Sequence, residues 1–302
     1  MSVAFICADS PAASIELVGL GNMLAAETHC LAFTPADAEA LNDCGANSVV
    51  LLEGAERPIE GNAVGIAALL KERLADLFLV GATAQGRDLA ARVAAYLDCA
   101  MASDVSSVDI AGDGVVVTRN LYGGTVVEEV ALPFPAVLTV PAGVGEPASG
   151  EAPVEAVAVE WDNRVELVDE QPIQKTGINL KEATVVLGVG MGFKQKDDLA
   201  LAEEVAEAMG AGIGCSRALV EERHWLAPEQ YIGLSGLSIT PDLYIAVGIS
   251  GQVQHVAGIR GAKVIAAINA DTNAPIFNAA DYAIIGDLYE VLPQLAKAVR
   301  AL

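Results

Sequence analysis

At 302 residues the chain exceeds the size of a typical single core and suits two domains. Hydrophobic residues make up 53% and aromatics 5%, the profile of an α/β protein with strands buried on both faces, and no run reaches about 18 apolar residues, so a bilayer-spanning helix is excluded. Seventeen Lys and Arg against 40 Asp and Glu give a net charge of −23, which repels phosphate backbones and argues against nucleic acid as a partner.

The opening Met1-Ser-Val-Ala-Phe-Ile-Cys-Ala-Asp9 has no basic region and meets an acid early. It reads as a strand and not a signal peptide, and the expected compartment is the cytoplasm. To about residue 100, strands are expected at Val3–Cys7, Cys30–Phe33, Val49–Leu52 and Leu77–Val80. Helices are expected at Ala36–Asn42, Ala63–Ala75 and Arg87–Leu97, where apolar residues recur every three or four positions. This alternation implies βαβ units and a parallel sheet. Val105–Ile110, Val115–Arg119, Val126–Leu132 and Val137–Val140 then read as strands joined by glycine turns, forming hairpins or an extension of the first sheet. Gly145–Pro153 is rich in Pro, Gly and acids and is expected to resist a packed core. Val157, Val159 and Trp161 alternate like an edge strand. A boundary is placed near residue 175, with 143–175 as the linker between domains 1–175 and 176–302.

Ala183–Gly190 is a buried strand running into glycines, and Asp197–Met209 follows as a helix with two acids at its start. Leu243–Val247, Val264–Ile268 and Tyr282–Ile285 supply further strands, and Asp287–Leu302 closes the chain as a helix. The five cysteines are scattered without a CxxC pair and read as buried free thiols. Three histidines share no ligand spacing, so no metal site is expected.

Three segments carry candidate chemistry. Gly188-Val-Gly190-Met-Gly192 lies where a strand turns toward a helix, a place where backbone can approach a phosphate, or simply a tight structural turn. Leu243–Gly258 ends a buried strand in Gly-Ile-Ser-Gly, followed by Gln252, Gln254 and His255. Ligands of open α/β sheets bind outside such carboxyl ends. Ala266-Ala-Ile-Asn-Ala-Asp271 repeats that arrangement, although Asn269 alone reads as a turn former.

Leu243–Asn269, with Ala274-Pro-Ile-Phe277, Ala280-Asp-Tyr282 and Gly286-Asp-Leu288, resembles the signature of electron-transfer flavoprotein α subunits. Gly214-Cys-Ser-Arg217 resembles the family's Gly-x-Ser-Arg turn, and Gly86–Leu97, Leu121–Gly124 and Pro135–Val140 resemble its N-terminal domain. The resemblance implies a parallel-sheet N-terminal α/β domain with added β-hairpins, contacting a β subunit, and a C-terminal Rossmann-like domain on a flexible linker that carries FAD. Carried over by position, the FAD would meet Gly190, Met191, Gly192, Ser216, Arg217, Gly233, Leu234, Ser235, Ser250, Gly251, Gln252, Val253, Gln254, His255, Asn269, Asp287 and Leu288. His255 would donate to the flavin's pyrimidine edge, stabilising the charge that arrives on reduction. The implied role is an electron carrier and not an enzyme. Its partners would be acyl-CoA dehydrogenase-type enzymes and a quinone oxidoreductase or ferredoxin route.

Two positions depart from the family pattern. Met191 stands where the family usually has Arg, and Leu234-Ser235 replaces Gln-Thr. The latter is similar to the FixB-like branch associated with carnitine metabolism and nitrogen fixation. A missing cation lowers the flavin potential, unless Lys194 or Lys196 replaces it. A bifurcating relative with a second FAD in the β subunit stays open. An NAD(P)-dependent Rossmann dehydrogenase would need an acid about 20 residues after Gly188–Gly192, where Met209–Gly214 is apolar.

Overall fold

A computed structural model describes residues 2–55, 59–162, 164, 167–169, 171 and 179–301. The chain divides into two compact units, Met1–Gln171 and Pro172–Leu302.

The first unit runs β1 (Val3–Cys7), α1 (Pro11–Leu24), β2 (Glu27–Ala32), α2 (Pro35–Ala40), β3 (Ser48–Glu53), α3 (Ala63–Glu72), β4 (Leu77–Gly81) and α4 (Ala84–Leu97). There follow β5 (Ala100–Ala102), β6 (Val105–Ala111), β7 (Gly114–Leu121), β8 (Val126–Pro133), β9 (Ala136–Val140) and β10 (Val154–Ala158). Seven strands form one parallel sheet in the order β10-β3-β2-β1-β4-β9-β5. One face packs on α1 and α2 through Leu17, Val18 and Leu41, the other on α3 and α4 through Ile66, Leu70 and Leu89. Strands buried on both sides explain the continuous apolar runs. β6, β7 and β8 form a separate antiparallel sheet, whereas β9 joins the parallel one, so the expected hairpins and the expected sheet extension both occur.

Two local expectations are corrected. Helix α1 was not anticipated: Ser10 caps it and Pro11 occupies its first turn, but Gly19 and Gly21 break its apolar spacing. Those glycines are explained by crowding on two sides. A Cβ on Gly19 would overlap the Glu146 carbonyl, and one on Gly21 would lie 2.9 Å from Thr28 Cγ2. The second correction is the Gly145–Pro153 stretch, which is seated and not loose. Ala148 N–H donates to Ile15 carbonyl at 3.2 Å, Ala152 N–H donates to Asn42 carbonyl at 2.8 Å, and Ala152 is 2% exposed. Composition misled because close backbone contact with a helix favours small residues as much as disorder does. β10 then forms the sheet edge beside β3. Trp161 packs over Gly61, where a Cβ would overlap its ring. The rest of the expected linker, from 172 on, lies outside the described residues.

The second unit runs β11 (Val185–Val189), a 3-10 turn at Lys196–Leu199, α5 (Ala200–Met209), β12 (Gly212–Cys215) and α6 (Arg217–Glu221). It continues with β13 (Leu243–Val247), α7 (Val253–Ala257), β14 (Val264–Asn269), β15 (Tyr282–Ile285) and α8 (Leu288–Val299). The order β12-β11-β13-β14-β15 is wholly parallel. α5 and α8 cover one face with Ala202, Val205, Leu292 and Ala296. The opposite face buries Tyr244, Ile232, Ile239 and Ile259. Strand β12, too short and glycine-rich to read from sequence, brings Ser216 and Arg217 to the same edge as the other loops. All five cysteines are free thiols, four of them buried.

Candidate functional site

The chain steps from β11 to β12 on one side of the sheet and then crosses to β13 on the other. Such a reversal opens a crevice outside the carboxyl ends of the strands. Here the loops leaving β11, β12, β13 and β14 line a cavity of about 930 Å³.

Eleven of the expected residues meet there. The loop after β11 gives Met191 and Gly192, and the turn after β12 gives Ser216 and Arg217. Leu234 and Ser235 enter from the loop before β13, and Ser250 and Gln252 from the loop after it. Gln254 and His255 come from α7, and Asn269 from the end of β14. The loops are tied to one another. Leu234 N–H donates to the Gln254 carbonyl at 2.8 Å, and Ser235 Oγ meets Tyr231 Oη at 3.1 Å. Asn269 Nδ2 donates to the Ile249 carbonyl at 2.8 Å while its Oδ1 accepts from Asp271 N–H at 3.0 Å.

Six expected residues stand outside the lining. Gly190 and Gly192 lock the β11 loop against the β13 loop: a Cβ on either would lie 2.5 or 2.6 Å from Gly248 backbone. Their N–H groups donate to the carbonyls of Val247 and Gly248. α5 begins only at Ala200. The glycine run is therefore the tight structural turn of the two readings, and Gly190 stays off the cavity. Gly233 donates to the Leu237 carbonyl and shapes its loop. Gly251 has φ +83°, and a Cβ there would overlap the Ile276 backbone. Val253 opens α7 half exposed, Asp287 caps α8 by accepting from Tyr289 N–H, and Leu288 is buried beneath Gly192 and Gly248.

Sequence reasoning missed Tyr231, Glu221 and Glu222 among the lining, and it reached Asp271 and Pro275 only as parts of quoted segments and not as site residues. The i,i+4 spacing of Arg217 and Glu221 was a usable signal, and the two pair at 2.6 Å. Tyr231 gave none, because only the fold brings it under the Gly233–Gly236 loop. Among the described residues, the lining thus holds one cation, Arg217, against Glu221, Glu222 and Asp271. Lys194 and Lys196 do not line it; Lys194 Nζ stacks 4.9 Å from the Tyr289 ring centre.

His255 is 7% exposed, and its Nε2 lies 2.8 Å from Tyr244 Oη. Burial pushes the imidazole down to about 4, partly offset by the Ile232 carbonyl beside it, so the ring is neutral near pH 7. Burial raises the Tyr244 phenol far enough that it keeps its proton. Two buried polar atoms of the lining residues, Ser216 Oγ and His255 Nδ1, lack a partner at hydrogen-bond geometry among the described residues. Orphaned buried polar groups are costly, and a ligand acceptor or donor is one way to satisfy them.

The family model of the electron transfer flavoprotein FAD-binding domain matches residues 179–260, and that of the electron transfer flavoprotein domain matches residues 10–162. The chain belongs to the electron transfer flavoprotein family. It is an α-type member. Protein FixB of Escherichia coli O17:K52:H18 is 36% identical over 308 residues, covering 99% of this chain and 98% of that one. YdiR of Escherichia coli K12, which carries the provisional name of an electron transfer flavoprotein subunit, is 36% identical with 96% of each chain covered. Among solved structures, a thiamine diphosphate-dependent 4-hydroxybenzoylformate decarboxylase of Rhodococcus jostii RHA1 gives a TM-score of 0.27 at 15% identity, over 96% of this chain and 53% of that one.

Proposed function

We propose that the chain is the α subunit of a heterodimeric electron-transfer flavoprotein of FixB type, holding one FAD in the cavity of its second unit. It would pass electrons in the cytoplasm between an acyl-CoA dehydrogenase-type enzyme and a quinone oxidoreductase or ferredoxin. The observation that carries this reading is the cavity itself. It sits at the sheet's reversal point and combines a cation, several hydroxyls and amides, and two orphaned buried polar atoms.

The residues present fit a flavin dinucleotide. Arg217 is the group to hold the diphosphate, with Ser216 and Ser250 supplying hydroxyls. Met191 and Leu234 offer exposed apolar surface to a ring system. His255 offers a neutral imidazole to a polar ring edge. When bound, FAD supplies the one- and two-electron redox chemistry. The chain's own part is to bind it, orient it and set the charge around it. His255 is poor material for a general base, since it is neutral, buried and held by Tyr244. That supports a carrier over an enzyme.

The β subunit and the donor are inferred from family membership. An equilibrium titration of flavin-free chain with FAD, followed by flavin fluorescence, tests the site. One FAD per chain, with affinity reduced about tenfold or more by Arg217→Ala, supports it. No uptake by the wild-type chain overturns it.

A further inference from the structure

Tyr244 is wholly buried, as the second residue of β13. A buried hydroxyl needs a partner, and among the described residues its one hydrogen bond is the 2.8 Å contact with His255 Nε2. The ring centres lie 6.1 Å apart at 46°, so the contact is an edge-on hydrogen bond and not a stack.

β11 makes room for this bond. Gly188 pairs with Ala246 in the neighbouring strand, and a Cβ on Gly188 would overlap the Tyr244 hydroxyl. Glycine in the middle of a buried parallel strand costs stability through backbone entropy and lost packing. Here it admits one phenol oxygen. Gly188 therefore belongs to the His255 arrangement and not to a phosphate-binding turn.

The direction of the bond follows from which groups can donate. If Nε2–H donated to the phenol, the phenol proton would be buried without an acceptor. If the phenol donates to Nε2, that conflict disappears. The imidazole's single proton then sits on Nδ1, the atom that has no protein partner at hydrogen-bond geometry.

We propose that Tyr244 is a positioning residue for the site: its hydroxyl donates to His255 Nε2 and fixes the Nδ1–H tautomer, which reserves Nδ1–H as the donor for an acceptor on the bound flavin. The inference rests on the reading of the cavity as a flavin site for its last clause only; the tautomer is a property of the chain alone. Gly188 is the enabling residue.

The test is 15N NMR of the imidazole nitrogens in flavin-free chain at pH 7. The chain has three histidines, and His255 is assigned by its loss in His255→Gln. The wild type should show His255 mainly as Nδ1–H. Tyr244→Phe keeps the ring and removes only the hydroxyl, and should shift the tautomer ratio toward Nε2–H. FAD affinity of that variant should fall about tenfold, as expected for losing one oriented hydrogen bond. If Tyr244→Phe proves too unstable to study, Gly188→Ala, which displaces the phenol oxygen from the other side, should move the ratio the same way. A wild-type Nε2–H tautomer, or a ratio indifferent to both substitutions, overturns the proposal. A wild type that shows Nδ1–H yet takes up no FAD refutes the flavin reading and leaves the positioning role of Tyr244 standing.

Discussion

Burying His255 makes the stability of the second unit pH-dependent. In the folded chain burial moves the group from 6.5 to about 4, while in the unfolded chain it titrates near its ordinary value. Between those two values the unfolded state binds the proton and the folded state does not. Stability therefore falls as pH drops through the window from about 6.5 to about 4 and is fully present above it. At 7% exposure, solvent screening takes little from the effect, and a shift of this size is worth roughly 3 kcal/mol at most. The perturbation is His255→Gln, which removes the titration while leaving an amide for the Tyr244 hydroxyl. Both chains carry Trp161→Phe, so that fluorescence reports Trp225, which packs on the core of the second unit. Urea unfolding at pH 7 and pH 4 then gives four free energies, and acids common to both chains cancel. The wild type should lose about 1–3 kcal/mol more than the variant on acidification. Equal losses in both chains would refute the claim that burial holds this imidazole neutral.

Two further substitutions test other parts of the account. Arg217, the one cation of the lining among the described residues, is paired to Glu221, and position 191 carries an uncharged Met. Met191→Arg should raise the flavin potential by an amount on the order of tens of millivolts in a potentiometric titration, and an unchanged potential would show that position 191 does not feel the flavin. Gly19→Ala drives a methyl toward the Glu146 carbonyl and should cost about 1–3 kcal/mol in urea unfolding. Unaltered stability would mean that residues 143–153 are not seated on α1.

The parallel sheets were legible because strands covered on both faces leave uninterrupted apolar runs, as at Leu77–Gly81 and Val185–Val189. Helix α1 was not, because crowding against the sheet and against residues 145–148 replaces its amphipathic stripe with small residues. Polar residues on the carboxyl-end loops, from Ser250 to His255, were found because the strand before them is plainly apolar and ends in glycine. The roles of the glycines were not. Sequence shows a Gly-x-Gly-x-Gly run, but only the packing shows that Gly188 clears Tyr244 and that Gly190 and Gly192 clear Gly248. Tyr244 reads as one more apolar strand residue until its hydroxyl is found on His255. Tyr231 and Glu222 reach the cavity through tertiary contacts that leave no periodic trace.

The most direct test of the carrier reading is stepwise anaerobic reduction, followed by absorption spectroscopy, of this chain co-purified with its β subunit. One FAD per α chain, reduced in single-electron steps, is the expected result; a second flavin on the partner that NADH reduces would point to bifurcation within the same family. A colourless complex that takes up no added FAD would contradict it, and would mean that a cavity walled by Met191 and Leu234 no longer serves a flavin.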